Sequence, residues 1–283
     1  MRYFVVPASA RDTYEEALPA DYRGQGLLMI AAGEINRTGK FELSGIAAFD
    51  MVDDVLFELS YICTVSAKRR SGVASSMMEY AAGVIRAMGG EKLCVGYLLD
   101  DDTYPLDALL KKTSFNLESS GRVESTDIQH IREGLSMFKS RSQGDEILPL
   151  SEISDDEWQD VCDTLLDEES PDAFMDLGSR DSYNGKLSHI SFGKDGGIKG
   201  VLFISDADDG LYVDYIWSSS KNGLTSIELV KRAVAAADGS YPDDTTITYH
   251  LVSQEAADFL FGITGKKGEY KGSAVFMSRE LAA

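Results

Sequence analysis

The chain has 283 residues, 43% of them hydrophobic and 26% charged, a balance that provides apolar material for two cores. Its 47 acidic residues against 27 basic give a formal charge of −20, which argues against nucleic acid and against anionic membrane surfaces as partners. No apolar run approaches the roughly 18 residues a membrane helix needs, and the N-terminus MRYFVVPASARDTYEE turns polar too early for a signal peptide.

Residues 2–6 (RYFVV) read as a short strand, and residues 9–18 as a helix with Asp12, Glu15 and Glu16 where the helix dipole favours acids. Residues 26–33 and 43–51 are apolar runs of strand length. Asp53-Asp54 turns the chain into residues 55–64 (VLFELSYICT), so an antiparallel meander is expected. The period then changes: Val73, Met77, Ala81, Val84 and Met88 fall at helical spacing, and Gly89-Gly90 ends the helix. Residues 92–99 form a strand and 106–112 a short helix. Two further strands are expected at 122–124 and 135–139.

A polar stretch, residues 140–146 (SRSQGDE), reads as a linker and divides the chain into domains 1–142 and 143–283. After it come a helix (155–166), strands (187–192 and 198–205), a turn at Asp208-Asp209-Gly210 and a strand (211–217). A helix (224–237), a strand (245–251), a short helix (254–261) and a last strand (272–279) complete the order. The stretches ELSYICTVSAKRRSGVASSMMEYAAGVIRAMGG and YVDYIWSSSKNGLTSIELVKRAVAAADG lie on each other as strand, Tyr-Ile, polar loop, glycine, helix. The interval from Tyr61 to Gly72 is 11 residues and that from Tyr215 to Gly223 is 8. This is a whole-domain duplication with a period of about 150 residues.

Between the strand ending at Thr64 and the helix opening at Gly72 stand Lys68, Arg69 and Arg70. The first amides of a helix have no intrahelical partners and carry partial positive charge. Gly72 lets a bulky anion approach the backbone, and arginines pair with phosphate oxygens in fork geometry. Neither a Walker loop nor Gly-x-Gly-x-x-Gly is present. The run Arg69-Arg70-Ser71-Gly72-Val73-Ala74 matches [Arg/Gln]-x-x-Gly-x-[Gly/Ala], and so resembles the coenzyme A pyrophosphate loop of the GNAT superfamily of N-acetyltransferases.

The resemblance implies an α/β (α+β) fold of two tandem acyl-CoA N-acyltransferase-like domains, each a mixed, mostly antiparallel sheet flanked by helices. It implies acetyl-CoA as acyl donor and a small-molecule or peptide amine as acceptor. The pantetheine arm is expected along Ile62, Cys63 and Thr64, and the pyrophosphate on the loop formed by Arg69, Arg70, Ser71, Gly72, Val73, Ala74 and Ser75. Glu58 is the candidate base, on a face shared by strict alternation with Ser60, Ile62 and Thr64. The family often has an acidic tyrosine five residues before a Gly-Phe pair. Here Ser114-Phe115 resembles that pair, and Leu110 stands at the tyrosine position, with Tyr104 the nearest substitute.

The second loop, Ser220-Lys221-Asn222-Gly223-Leu224-Thr225, lacks the arginine, and Phe261 stands where a tyrosine would be expected. The second domain is therefore read as degenerate, structural or substrate-enclosing. The rival reading is a catalytically inactive acyl-CoA-binding or scaffolding protein. Cys63, Cys94 and Cys162 support neither a disulfide framework nor a metal site, and His130, His189 and His250 have no metal spacing. The glycine of Asp206–Gly210 comes one place early for a calcium loop. No metal and a cytoplasmic location are expected. Asp100-Asp101-Asp102 could orient a cationic amine and Lys111-Lys112 could flank the coenzyme's 3′-phosphate; both read more simply as solvated surface. The oligomeric state is left open.

Overall fold

The computed structural model describes residues 1–23, 27–138, 145–166, 179–207, 209–219, 223–251, 254–265 and 268–281. The fold is α/β, with mostly antiparallel strands flanked by helices. The chain divides into two compact units, one made of Met1–Ser119 with Val275–Ala283 and the other of Ser120–Ala274. The expected border at 142/143 thus falls inside the second unit, and residues 140–144 of the expected linker lie outside the described residues. The end of the chain belongs to the first unit because Val275, Met277 and Leu281 are apolar and buried in its core with Phe49, Phe57 and Leu93.

The first unit has the strand order β1-β2-β3-β4-β5-β12. Strands β1 (Arg2–Val5), β2 (Leu28–Ile35), β3 (Phe41–Met51) and β4 (Leu56–Thr64) form the expected antiparallel meander. Strand β5 (Lys92–Leu99) runs parallel to β4, and the last strand is the C-terminal part of β12 (Glu269–Glu280). Helix α1 (Arg11–Glu15) is shorter than residues 9–18, because Pro19 forces the chain out of helix beforehand. Helices α2 (Val73–Ala87) and α3 (Tyr104–Lys112) cover one sheet face, burying Met78, Ala81, Ile85 and Leu110 against Phe49, Phe57 and Leu59. Phe4, Tyr14 and Leu18 cover the other face, over Met29, Ile46 and Ala48.

The second unit has the order β6-β11-β10-β9-β8-β7. Its strands are β6 (Asn116–Asp127, from Ser120), β7 (Glu146–Pro149), β8 (His189–Phe192), β9 (Ile198–Ala207), β10 (Gly210–Ser218) and β11 (Thr246–Leu251). Its helices are α4 (Ile128–Leu135), α5 (Asp155–Leu166), α6 (Leu224–Ala237) and α7 (Gln254–Thr264). Two expectations are corrected. The strand at 122–124 is part of the twelve-residue β6, and over the described part of 135–139, residues 135–138, no strand forms: Leu135 ends helix α4. Asp127 caps that helix by accepting the His130 backbone N–H at 2.8 Å, and Ile128, Ile131 and Leu135 bury one stripe. Strand β7 was not foreseen. No helix among the described residues is long and apolar enough to cross a membrane.

Candidate active site

The parallel register of β4 and β5 holds only for Leu56–Lys92, Phe57–Leu93 and Glu58–Cys94. Beyond Glu58 the two strands are no longer paired, so the stretch from Leu59 to Cys63 has no ladder partner on the β5 side. The β3–β4 register also slips: Ala48 faces Tyr61 while Phe49 faces Leu59, which leaves Ser60 as the extra residue of a bulge. The bulge corrects the expected alternation. Phe57 and Leu59 pack under α2 and α3, placing Glu58 on the opposite face; past the bulge that opposite face carries Tyr61 and Cys63, while Ile62 packs with Met77 and Val73. Glu58 therefore shares its face with Tyr61 and Cys63, not with Ile62 and Thr64. Burial, followed by the neighbouring Cys63 thiol, pushes the Tyr61 phenol up to about 12. Burial, with the Glu58 charge next, likewise pushes the Cys94 thiol up to about 12.

Past Thr64 the loop makes a 3-10 turn (Ser66–Lys68), and then Arg70 (φ 61°) and Gly72 (φ 85°) both adopt the left-handed region. Ser71 Oγ closes the turn by donating to the Lys68 carbonyl at 2.5 Å. Lys68 is not a free cation: its Nζ lies 3.1 Å from Glu34, and this bond holds the Glu34 carboxyl below the usual range. Arg69 Nε donates to the Thr64 carbonyl at 3.3 Å, tying the loop to the end of β4. Both Arg69 and Arg70 are exposed.

Gly72 caps α2 without any side-chain hydrogen bond, and the first helical bond runs from Ser76 N–H to the Gly72 carbonyl. The amides of Val73, Ala74 and Ser75 precede that bond and have no helical acceptor. A Cβ at Gly72 would meet nothing within 4 Å, so the space beside Gly72 is open. Val73 is buried beside Ala32 and Met77 and fixes where the helix starts. The geometry suits a bulky anion.

The candidate acids lie elsewhere. Tyr104, at the start of α3, is 66% exposed, and Leu110 is wholly buried in the core, with Phe115 packed in the same cluster. Tyr97 of β5 donates its phenol to the buried Asp107 at 2.9 Å, and Lys111 pairs with the same carboxylate at 2.9 Å. The position at 97 carried no motif that sequence reasoning could use. Asp100 accepts the backbone N–H of Thr103, and that bond holds its carboxyl below the usual range, so it builds the turn into α3.

The second unit repeats the construction. The parallel β10–β11 register ends at Val213–Tyr249, a bulge leaves Asp214 as the extra residue before Tyr215, and Gly223 (φ 67°) caps α6. Ser60-Tyr61 and Asp214-Tyr215 are thus equivalent, as the sequence alignment of Tyr61 with Tyr215 requires. Residues 220–222 of the second loop, and Asp208 of the calcium-like turn, lie outside the described residues. Phe261 is exposed, and His189 bonds the Leu187 carbonyl.

No protein-family model matches the chain, and no curated protein matches it. Solved structures do. A tandem GNAT protein from the clavulanic acid biosynthesis pathway superimposes with a TM-score of 0.61 at 12% identity, covering 98% of this chain and 89% of that one. A GCN5-related N-acetyltransferase from Sphaerobacter thermophilus gives 0.60 at 13% identity, over 95% and 86%. A conserved Enterococcus faecalis protein described as a probable N-acyltransferase gives 0.62 at 9% identity, over 99% and 72%. At these identities the likeness is one of fold: the chain has the tandem GCN5-related N-acetyltransferase fold.

Proposed function

We propose that the chain is an N-acyltransferase that moves an acetyl group from acetyl-CoA to a primary amine, with the donor held by the first unit. The observation that carries this reading is the conjunction at one place of three features: a strand that leaves its parallel neighbour after Glu58, an uncapped helix N-terminus behind a left-handed Gly72, and two exposed arginines. Backbone at 62–63, past the end of the β4–β5 pairing, suits an extended amide-bearing arm, and amides 73–75 with Arg69 and Arg70 suit a pyrophosphate. Glu58 takes the proton of the attacking ammonium, directly or through water, and the departing thiolate takes a proton from Tyr104 or from solvent. Positioning of amine and thioester supplies much of the rate. The tandem fold, and the description of two of the similar structures as GNAT proteins, support the reading.

The second reading is an acyl-CoA-binding protein without catalysis. It draws on one observation: Leu110, at the place of the expected acid, is part of the packed core. Release of free thiol with a panel of amines separates the two. The loop itself is tested by the Arg69→Ala, Arg70→Ala double variant, which should weaken acetyl-CoA binding by roughly 2 to 4 kcal/mol and flatten its salt dependence. Lys68→Ala, whose charge Glu34 already engages, should change binding little. Unchanged affinity and salt slope in the double variant would remove the loop from the site.

A further inference from the structure

Residues 142–179 contain 13 acidic residues and no lysine or arginine, so much of the chain's charge of −20 falls in one stretch. Helix α5 carries part of it. Val161 and Leu165 fasten this helix to the sheet, packing with Ile190, Val201 and Phe203. Glu157, Asp160 and Thr164 follow one another at helical spacing and form a stripe that the core does not use. Beneath that stripe lies a cleft of about 680 Å³, within the roughly 300 to 1,000 Å³ of ligand pockets. Its floor is apolar and half-buried: Leu148 of β7, Phe192 of β8 and Ile198 of β9.

The charges around this floor are unmatched. The carboxylates of Glu146, Glu157, Asp160 and Asp163 line the cleft against the one ammonium of Lys194. Just outside, acids have cations: Asp155 pairs with Arg180, and Asp195 with Lys199. Inside, Glu157 is spent on the helix start, where it accepts from Ser154, and Asp163 accepts from the neutral Gln159 amide. Among the described residues no cation engages Glu146, Asp160 or Asp163. An apolar floor under unmatched carboxylates fits an occupant with an apolar stem and a cationic head. A guanidinium suits it best, since it is weakly hydrated, stacks on an aromatic ring and serves carboxylates in fork geometry. The acidic stretch continues past the cleft through the exposed Glu152 and Asp156, which favours an extended occupant over a single small cation.

We propose that this cleft docks an arginine-bearing segment of a basic polypeptide. One arginine lays its stem on Phe192 and its guanidinium on Asp160 and Asp163, and a neighbouring apolar residue of the segment takes the rest of the floor. The site lies wholly in the second unit and needs neither coenzyme nor amine, so it stands apart from the acyl-transfer reading. The acidic stretch steers the partner in, and the floor holds it.

The test is calorimetric titration of the full chain, without coenzyme, with the peptide acetyl-Arg-Leu-Arg-Leu-Arg-amide, which has no primary amine to be acylated. The wild type should bind it saturably at submillimolar peptide. Citrulline in place of arginine, alike in shape but uncharged, should weaken binding at least about 10-fold, and serine in place of leucine should weaken it several-fold. The Asp160→Asn, Asp163→Asn double variant, altered only on the exposed side of α5, should lose roughly 10- to 100-fold in affinity. The Asp12→Asn, Glu91→Gln double variant removes the same charge from exposed positions of the first unit and should bind as the wild type. Absence of saturable binding, or equal affinity for the citrulline or serine peptide, overturns the proposal without recourse to any variant. So does wild-type affinity in the Asp160, Asp163 variant, or an equal loss in both double variants, which would mean a diffuse field rather than a cleft.

Discussion

Asp214 shows how a single residue departs from its structural twin. Its equivalent in the first unit is Ser60, which can donate as well as accept, whereas a carboxylate in a bulge must find donors. Burial raises its folded proton affinity above that of the unfolded chain. The native state therefore binds the proton more tightly, and stability falls as pH climbs from the ordinary aspartate range through the folded value. Asp214→Asn lacks this slope. Urea melts across that window should show the wild type losing stability relative to Asp214→Asn as pH rises, with His250 as the nearby group whose charge opposes the effect. A gap that moves the other way would mean Asp214 is stabilised as the anion.

Elements, rather than residues, build the anion cradle. Helix α2 begins where it does because Val73 and Met77 are buried beside Ala32, and the left-handed Gly72 swings the chain into that start. At φ 85° a side chain is strained although nothing obstructs it, so Gly72→Val should cost about 1 to 2 kcal/mol of stability. Its Cβ would also fill the space before the amides, so acetyl-CoA binding should fall by far more than the melting shift implies. Normal calorimetric affinity with a shifted melt would place the ligand elsewhere. The bulge acts at the same scale. One extra residue in β4 moves Tyr61 and Cys63, instead of Ile62 and Thr64, onto the face of Glu58.

For the whole molecule, the last residues of the chain complete the first unit. Val275, Met277 and Leu281 are nearly fully buried there, and Arg279 makes a two-pronged ion pair with Glu79 of α2 at 2.8 and 2.9 Å. Each buried apolar side chain contributes about 1.5 to 3 kcal/mol. A chain ending at residue 274 should therefore lose the first unit's cooperative unfolding and with it the proposed acetyl-CoA binding, although residues 68–75 are untouched. Residues 1–142 alone should fail for the same reason. Retention of binding by either truncation, measured by calorimetry, would show that the strand is dispensable.

The sequence by itself determined most of the elements, though neither α4 nor β7, together with the position of α2 and α6, the internal equivalence of Tyr61 with Tyr215, and the basic loop before Gly72. These features are local: hydrophobic period, glycine placement and charge are written within a dozen residues. It could not determine that Lys68 is engaged by Glu34, 34 positions earlier in the chain, that the bulge turns the face of β4, or that Asp214 is left with an unpaired oxygen. Nor could it show that the end of the chain supplies a strand of the first unit. Each of these depends on pairing between distant segments, and register carries no mark in composition or spacing. Only the tertiary structure brings those segments together, and so it alone decides which charges are engaged and which remain free for a ligand.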